Sequence, residues 1–581
     1  MARANDRVEE ALNEYRDLLA VTSSDPHRPR SYEKAARSIG GYHADVADLD
    51  VKELQDIPNV GKSIAEKVVS LLRTGTFPEL EELRHQVPPG VRELMSIPGL
   101  GPKRAMTLYR ERHIASIQEL LDAIQDGALE ELPGFGKKTE ENIVRSVSRL
   151  QRSGDRVLMS IALDVAEELL EELRSVKEVA RCAYAGSLRR MVETIGDVDL
   201  LVASADPVPV MDAFAGSTYA ERVLAKGETK TSILTTKGLQ VDLRVVPPDV
   251  WGAALQYFTG SKAHNIRTRE IAVRKKLKLS EYGLFEAASG KLIVAQTEEE
   301  VYERLGLPWI HPALREDRGE VEAALKGELP DLIEQRGLRG DLHTHTDLTD
   351  GLAPLDRMIE EAATHGYAYY AVTDHAPNLY MQRMTDEKML GQREALRALQ
   401  PRFSKMMLLH GTELNIGPDG DVDWPEEFLA GFDVTVASVH SHFDQTPEQM
   451  TRRIVRAMEN PYVNVIGHPT ARLLGKRQGI EFDLEAVFEA AARTGTALEV
   501  NSGPDRLDLR DEHILWARRH GVRFAVDTDA HSPVHLAFMR FGVGTAQRGW
   551  LTADEVINAW PLSKLRKFVE AKRPRGRPAA G

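Results

Sequence analysis

The sequence predicts a multidomain α/β protein with a helical N-terminal region, a mixed α+β centre and a C-terminal sheet of parallel strands closed into a barrel. Three observations carry that expectation. Short amphipathic runs, broken by a turn that recurs three times, fill residues 1 to about 150. From about 155 to 250, helix-like and strand-like runs alternate, including AYAGS, DVDLLV, SILTTKG and LQVDLRVV. After Asp341, an apolar strand, a loop bearing His or Asp, and a helix recur in an order that builds parallel strands.

At 581 residues the chain is too long for one hydrophobic core, and its 42% apolar and 28% charged content is ordinary for a globular protein. The opening residues, MARANDRVEEALNEY, carry acidic charges and no apolar block. Neither a signal peptide nor a membrane span is therefore expected, and a cytoplasmic location is. The single cysteine, Cys182, has no partner for an internal disulfide and is expected to pack as a small hydrophobe.

A net charge of −14 excludes a uniformly positive coat, so any nucleic-acid contact must use backbone donors or local basic clusters. One cluster is Lys262, Arg267, Arg269, Arg274, Lys275, Lys276 and Lys278, opposed by Glu270. The other is Lys564, Arg566, Lys567, Lys572, Arg573, Arg575 and Arg577, opposed by Glu570. Either can also be a solvated face.

The N-terminal repeats are IPNVGKSIAEKV (57–68), IPGLGPKRAMTL (97–108) and LPGFGKKTEENI (132–143). Each sets a tight turn directly before a helix. Its glycine is expected to take a positive φ that turns backbone amides outward, and the helix start adds partial positive charge. Such a turn can hold a phosphate without reading bases. Val60, Gly61, Leu100, Gly101, Lys103, Phe135, Gly136 and Lys137 are the candidate DNA contacts.

The stretch AYAGSLRRMVETIGDVDLLV is the most informative of the first half. Gly186 and Ser187 end a strand and open a helix, so backbone amides, the Ser187 hydroxyl and the Arg190 guanidinium can converge on triphosphate oxygens, with Gly196 nearby. Asp197 and Asp199 point the same way in an extended chain, and Asp242 lies on a strand expected to pair alongside. Three carboxylates can hold two Mg²⁺ or Mn²⁺ ions about 4 Å apart, the arrangement for phosphoryl transfer.

Of 18 histidines, 12 lie beyond residue 336, and they recur with acids after apolar runs. The candidate ligands are His343, His345, Asp350, His375, Glu413, His440, His468, Asp529 and His531, most of them at C-terminal strand ends. Mixed imidazole and carboxylate suits Zn²⁺, Mn²⁺ or Fe²⁺, and nine ligands suffice for three ions. His410 and His442 stay outside this set as packing or substrate-contacting groups.

Taken together, the repeats resemble helix-hairpin-helix motifs of repair polymerases, and the central constellation resembles the nucleotidyltransferase palm of family X DNA polymerases. The run YFTGSKAHNIRTRE (257–270) resembles that family's thumb signature. By this resemblance Tyr257 and Phe258 line the sugar pocket, with Tyr257 a gate against ribonucleotides. Gly260 and Asn265 would contact the incoming nucleotide, and Arg269 would reach the templating side. Lys262 stands where polymerase beta has an acid, and Arg156 aligns loosely with a triphosphate-binding arginine. Lys67 falls at the Schiff-base lysine of the lyase domain, whereas Ser63 replaces an earlier lysine. Phosphate or solvent contact is the alternative role for Lys67.

The C-terminal ligand set resembles the PHP (polymerase and histidinol phosphatase) domain, a distorted (β/α) barrel with a trinuclear metal centre. The resemblance implies a lyase-like domain (1–85), fingers (86–152), palm (153–250), thumb (251–318), linker (319–337), PHP domain (338–565) and basic tail (566–581). It implies a monomeric, nucleoid-associated polymerase that takes dNTPs and fills short gaps or nicks in double-stranded DNA during repair. The PHP domain would supply 3′–5′ exonuclease, abasic endonuclease and 3′-phosphatase activity. An inactive DNA-end scaffold would leave both ligand sets without a role, and a stand-alone histidinol phosphatase would leave the palm and repeats unexplained.

Overall fold

The computed structural model describes residues 4–574 except 23, 24, 26, 41, 43–45, 88, 96, 98, 99, 130, 131, 133, 134, 136–139, 141, 142, 145–155 and 380–383. No helix among these residues is long and apolar enough to cross a membrane.

Apolar residues at helical spacing organise the N-terminal region. In the helix Ala4–Thr22, Val8, Leu12, Tyr15 and Leu19 are buried on one face, and Tyr15 meets Tyr32 and Phe77 edge-on at 4.7 and 5.0 Å. The three repeated turns fold alike: Val60 N donates to Ile57 O, Leu100 N to Ile97 O and Phe135 N to Leu132 O, at 2.9–3.1 Å. The first two run straight into the helices Lys62–Thr74 and Pro102–Arg112.

The centre is a five-stranded sheet in the order Arg181–Tyr184, Asp197–Ala203, Gln240–Val246, Lys230–Thr235 and Ala220–Lys226. Its middle pair is parallel and the outer pairings are antiparallel. The helices Met159–Arg174 and Pro207–Ala215 share its core, and Cys182 packs there as expected. The edge strand Ala220–Lys226 did not announce itself in the sequence, because it is exposed along almost its whole length and lacks a buried face to pattern.

Residues 251–320 combine helices with a small sheet. After the helices Trp251–Thr259 and Lys262–Arg274 comes a three-stranded antiparallel sheet, Leu277–Ser280, Gly283–Glu286 and Leu292–Val294, followed by the helix Glu298–Leu305. Gly283, at φ 138°, allows the sharp reversal between the first two strands. The expected linker is also more than a tether. Ile333 is buried in the barrel core, its amide donates to Leu551 O at 2.9 Å, and its carbonyl accepts from Gln547 at 2.8 Å.

Beyond it, seven parallel strands follow one another in chain order: Gly340–Asp341, Tyr369–Val372, Met407–Asn415, Val434–Ser438, Val465–Ile466, Ala497–Asn501 and Phe524–Asp527. A parallel bridge between Thr344 and Ala530 joins the two ends. Alternation along the strands makes two cores: Tyr369, Ala371, Val434 and Val436 face inward, while Tyr370, Val372 and Ala437 meet the surrounding helices. The helix Leu562–Lys572 adds Leu565 and Val569 to the inner core. Part of the basic tail therefore has structural work. Lys572 donates to Met458 O at 3.0 Å and Thr496 Oγ1 at 2.6 Å, and Arg573 donates to Phe432 O at 2.5 Å. Arg575 and Arg577 lie outside the described residues.

Candidate metal centres and nucleic-acid interface

In the central sheet, the parallel register sets Asp199 directly opposite Asp242, with Asp197 one pleat along on the same face as Asp199. The three predicted carboxylates therefore converge. Burial, reinforced by the charges of Asp197 and Asp242, pushes Asp199 up to about 6. For Asp242 burial acts in the same direction, but hydrogen bonds from Lys230, Gln240 and Ser232 outweigh it and hold the group below the usual carboxylate range. Lys230 Nζ lies 2.6 Å from Asp242 Oδ2 and Gln240 Nε2 donates to Oδ1 at 2.9 Å. Neither partner was singled out from the sequence. Three carboxylates crowded together against burial fit a divalent cation, which replaces mutual repulsion with shared attraction.

The glycine-serine turn sits against this cluster. Gly186 has φ 58°, and a Cβ there would fall 2.2 Å from Asp199 Oδ2, so both the backbone and the neighbouring carboxylate demand glycine. Ser187 lies in the helical turn Gly186–Arg189. Arg156 Nε donates to Thr194 Oγ1 at 3.0 Å, and its Nη1 would be 3.3 Å from a Cβ on Gly196. Arg190 is more constrained than a free triphosphate ligand: Nη1 donates to Thr259 O at 2.6 Å and Nε to Glu316 Oε1 at 3.0 Å.

Tyr257 and Phe258 meet edge-on at 5.2 Å at the end of the helix Trp251–Thr259, with Arg244 4.7 Å above the Phe258 ring. Asn265 donates to Tyr257 O at 2.7 Å and accepts from Gln256 at 2.9 Å, so it fixes this turn from within. Gly260, at φ 68°, lies against Arg190, whose Nη1 would be 3.2 Å from an added Cβ. Arg269 is exposed, with Nε donating to Asn265 O at 3.0 Å, and Lys262 is exposed nearby. Arg267 of the same basic cluster is already paired with Glu270 and Glu322.

The repeated turns required one correction. Gly61 and Gly101 cap their helices at φ −81° and −63°, not in the left-handed region; the residue that takes it is Asn59, at φ 67°. The space at both positions is open: a Cβ at either would meet nothing within 4 Å, and no side chain caps either helix. The first amides stay available to an anion. Val60, Leu100 and Phe135 are buried, so only their backbones can face a ligand. The backbone of Lys103 is helical, while its side chain, Gly136 and Lys137 lie outside the described residues. Lys67 is buried and donates to Glu79 Oε1 at 2.6 Å and to Ser63 Oγ at 3.4 Å.

At the barrel mouth all nine predicted ligands come together. Three groups have ligand atoms within 4.8 Å of one another: His345, Asp350, His375 and His531; His343, His345 and Asp529; and His375, Glu413 and His440. His468 Nε2 joins them 3.1 Å from Glu413 Oε1. Glu413 is the hub, with nitrogens of His343, His345, His375, His440 and His468 at 2.9–3.6 Å. Burial would push Asp350, Glu413 and Asp529 up, but the facing imidazoles outweigh it and hold all three well below their usual range. Burial pushes His440 down to about 4, the neutral form a metal ligand needs.

The fit to metal rests on buried atoms that have no hydrogen bond: His343 Nε2, both nitrogens of His345, Asp350 Oδ1 and His375 Nδ1. Each such atom costs about 1–3 kcal/mol. All of them face an opposite charge at 2.9–3.8 Å without hydrogen-bond geometry, and shared cations would satisfy them.

Behind the ligands stand residues that sequence reasoning missed. Glu499 accepts from or pairs with His343 Nδ1 at 2.6 Å, Asn415 Oδ1 lies 2.8 Å from His440 Nδ1, and Asn501 donates to Asp529 Oδ2 at 3.1 Å. A carboxylate within the apolar strand ALEVN was the available signal for Glu499. His410, stacked on Phe432 at 5.0 Å and contacted by Arg393, stays outside the centre, as does the exposed His442.

Comparison with known proteins agrees with this geometry. Family profiles match residues 3–77 (helix-hairpin-helix domain), 91–149 (SAM-like helix-hairpin-helix tandem), 254–316 (DNA polymerase beta thumb) and 341–503 (PHP domain). The DNA polymerase/3′-5′ exonuclease PolX of Bacillus subtilis (strain 168) is 34% identical over 555 residues, spanning 95% of this chain and 97% of that protein. DNA polymerase lambda of Rattus norvegicus is 27% identical across 50% of this chain and 53% of its own. A protein named "Probable phosphatase" from Thermoanaerobacter sp. (strain X514) is 28% identical over 40% of this chain and 95% of its own. Near-full-length similarity at this level, with the carboxylate trio in the palm and the imidazole cluster in the barrel, places the chain in the bacterial family X DNA polymerases that carry a C-terminal PHP domain.

Proposed function

We propose that this chain is a DNA-directed DNA polymerase that fills short gaps or nicks in double-stranded DNA during repair, with a second centre in its PHP domain that trims or dephosphorylates 3′ ends. The observation that carries the reading is the register of Asp199 opposite Asp242, beside a turn at Gly186 where any Cβ would press on the Asp199 carboxylate. Asp197, Asp199 and Asp242 would hold two Mg²⁺ or Mn²⁺ ions, and the nine barrel ligands three ions of Zn²⁺, Mn²⁺ or Fe²⁺. When bound, these cations activate the attacking oxygen and neutralise the phosphate it attacks.

The protein's own groups supply the rest. Amides of the Gly186–Ser187 turn, the Ser187 hydroxyl, Arg190 and Arg156 gather around the triphosphate, next to Gly196. Tyr257 and Phe258 border the sugar, held in place by Asn265, and Gly260 lets the chain pass close to Arg190. Arg269, exposed on the thumb, faces the template. The amides after Val60 and Leu100, with Lys103, Phe135, Gly136 and Lys137, hold the DNA backbone as an electrostatic, sequence-independent grip. The ion pair with Glu79 occupies the Lys67 amine, which favours a structural or phosphate-binding role for Lys67 over lyase chemistry. The protein acts as a nucleoid-associated monomer. Cleaning 3′ ends and extending them belong together, because synthesis needs a free 3′-OH.

The test is a labelled gapped duplex with dNTPs and Mn²⁺. Asp199→Ala is expected to lose extension but keep 3′-end degradation, and His343→Ala the reverse. Loss of both activities in either variant, or of neither, would overturn the division of labour.

A further inference from the structure

The palm and the barrel meet at the nucleotide-binding turn itself. The helix Met539–Arg548 of the barrel brings Gly544 against Met191, with so little room that a Cβ there would fall 2.5 Å from Met191 Cε. One turn further, Arg548 donates through Nη1 to the Arg190 carbonyl at 2.8 Å and to Glu316 Oε1 at 2.7 Å. Its Nε donates to Asp511 Oδ2 at 2.9 Å, and Asp511 also accepts from Arg318 at 2.9 Å. On the barrel's other edge, Arg472 pairs with Glu193 at 2.7 Å, and Leu507 and Phe541 are buried within the palm's core. Residues 190–193 are thus gripped from the barrel by a guanidinium, a packed glycine and an ion pair.

Arg548 shares Glu316 Oε1 with Arg190, whose other guanidinium bond goes to the carbonyl of Thr259 in front of Gly260. Arg190, Arg318, Arg510 and Arg548 are linked through Glu316, Asp511 and Glu512. Without Arg548, Arg190 would face the half-buried Glu316 alone, and its own carbonyl would lose a charged donor. Arg190 would be drawn toward Glu316 and away from any ligand in the turn. Nothing in the ligand set at the barrel mouth touches Arg548.

We propose that the barrel is a working part of the polymerase site, with Arg548 acting as a positioning residue that sets Arg190 and the 190–193 turn for the incoming nucleotide. This deepens the polymerase reading and rests on it. Single-nucleotide insertion into a gapped duplex by the full chain reads the effect. Arg548→Met is expected to raise KM for the dNTP at least tenfold with kcat changed less than threefold, and Arg548→Lys to recover part of the loss. Release of phosphate from a 3′-phosphorylated primer by the same preparation should stay within twofold of wild type. In an Arg190→Ala background Arg548→Met should add little, because the two act as a unit. If Arg548→Met does not fold, Arg548→Gln keeps a polar side chain, removes the charge and is expected to raise KM at least threefold.

An unchanged KM in the folded variants, full additivity with Arg190→Ala, or a parallel loss of phosphate release would each overturn the positioning role. Normal insertion by the wild type alongside such a result contradicts that role alone. A wild type that inserts nothing contradicts the polymerase reading and takes this proposal with it.

Discussion

Gly186 illustrates how closely one residue can tie backbone to chemistry. Its φ of 58° costs an L-residue about 1–2 kcal/mol, yet the more serious obstacle is the Asp199 carboxylate, 2.2 Å from where a Cβ would sit. Gly186→Ala should therefore displace Asp199 rather than unfold the sheet. A displacement near 1 Å at a reacting centre costs roughly 100-fold in rate. We expect single-nucleotide insertion to drop by about that factor while the melting temperature shifts by roughly 5 °C or less. Insertion within threefold of wild type would show that the close approach has no catalytic consequence. The identity of Gly186, Asp197, Asp199 and Asp242 as a group was legible because strand alternation dictates which side chains share a face. The contacts of Arg190 were not legible, since Glu316 and Arg548 lie 126 and 358 residues further along the chain.

Among the elements, those with a repeating pattern declared themselves. The barrel strands are apolar runs ending in His or Asp, and the helix-entry turns share a motif that produces the same turn three times. The strand Ala220–Lys226 and the small thumb sheet were missed because one is exposed and the other consists of strands of three or four residues. At Gly61 and Gly101 the expected positive φ is absent, and open space rather than protein surrounds each position. That distinction is testable. Gly61→Val and Gly101→Val should leave the melting temperature unchanged, because open space surrounds both positions. Each should weaken binding to a gapped duplex several-fold, equally for unrelated sequences, as measured by fluorescence anisotropy. A loss that depended on sequence, or no loss at all, would contradict a backbone-phosphate grip.

Over the whole molecule, two clusters of metal-seeking side chains sit on two different sheets, and the palm and barrel that carry them share packed side chains and ion pairs. The segment expected as a linker is seated on the barrel through Ile333, and the C-terminal helix feeds the barrel's inner core. Composition alone reports punctuation, such as glycine, proline and charge, and cannot report what the punctuated segment packs against. The ligand sets were legible at this scale because nine imidazoles and carboxylates at strand ends have few other reasons to converge. Their supporting residues, such as Glu499 and Asn415, depend on which strands become neighbours. The central claim is that these groups gather divalent cations, and anomalous scattering from crystals equilibrated with Mn²⁺ tests it most directly. Three peaks are expected around Glu413 in the barrel, each touching one of the three ligand groups, with further density between Asp199 and Asp242. Peaks scattered over surface carboxylates, with none at Glu413 or between the two aspartates, would contradict it.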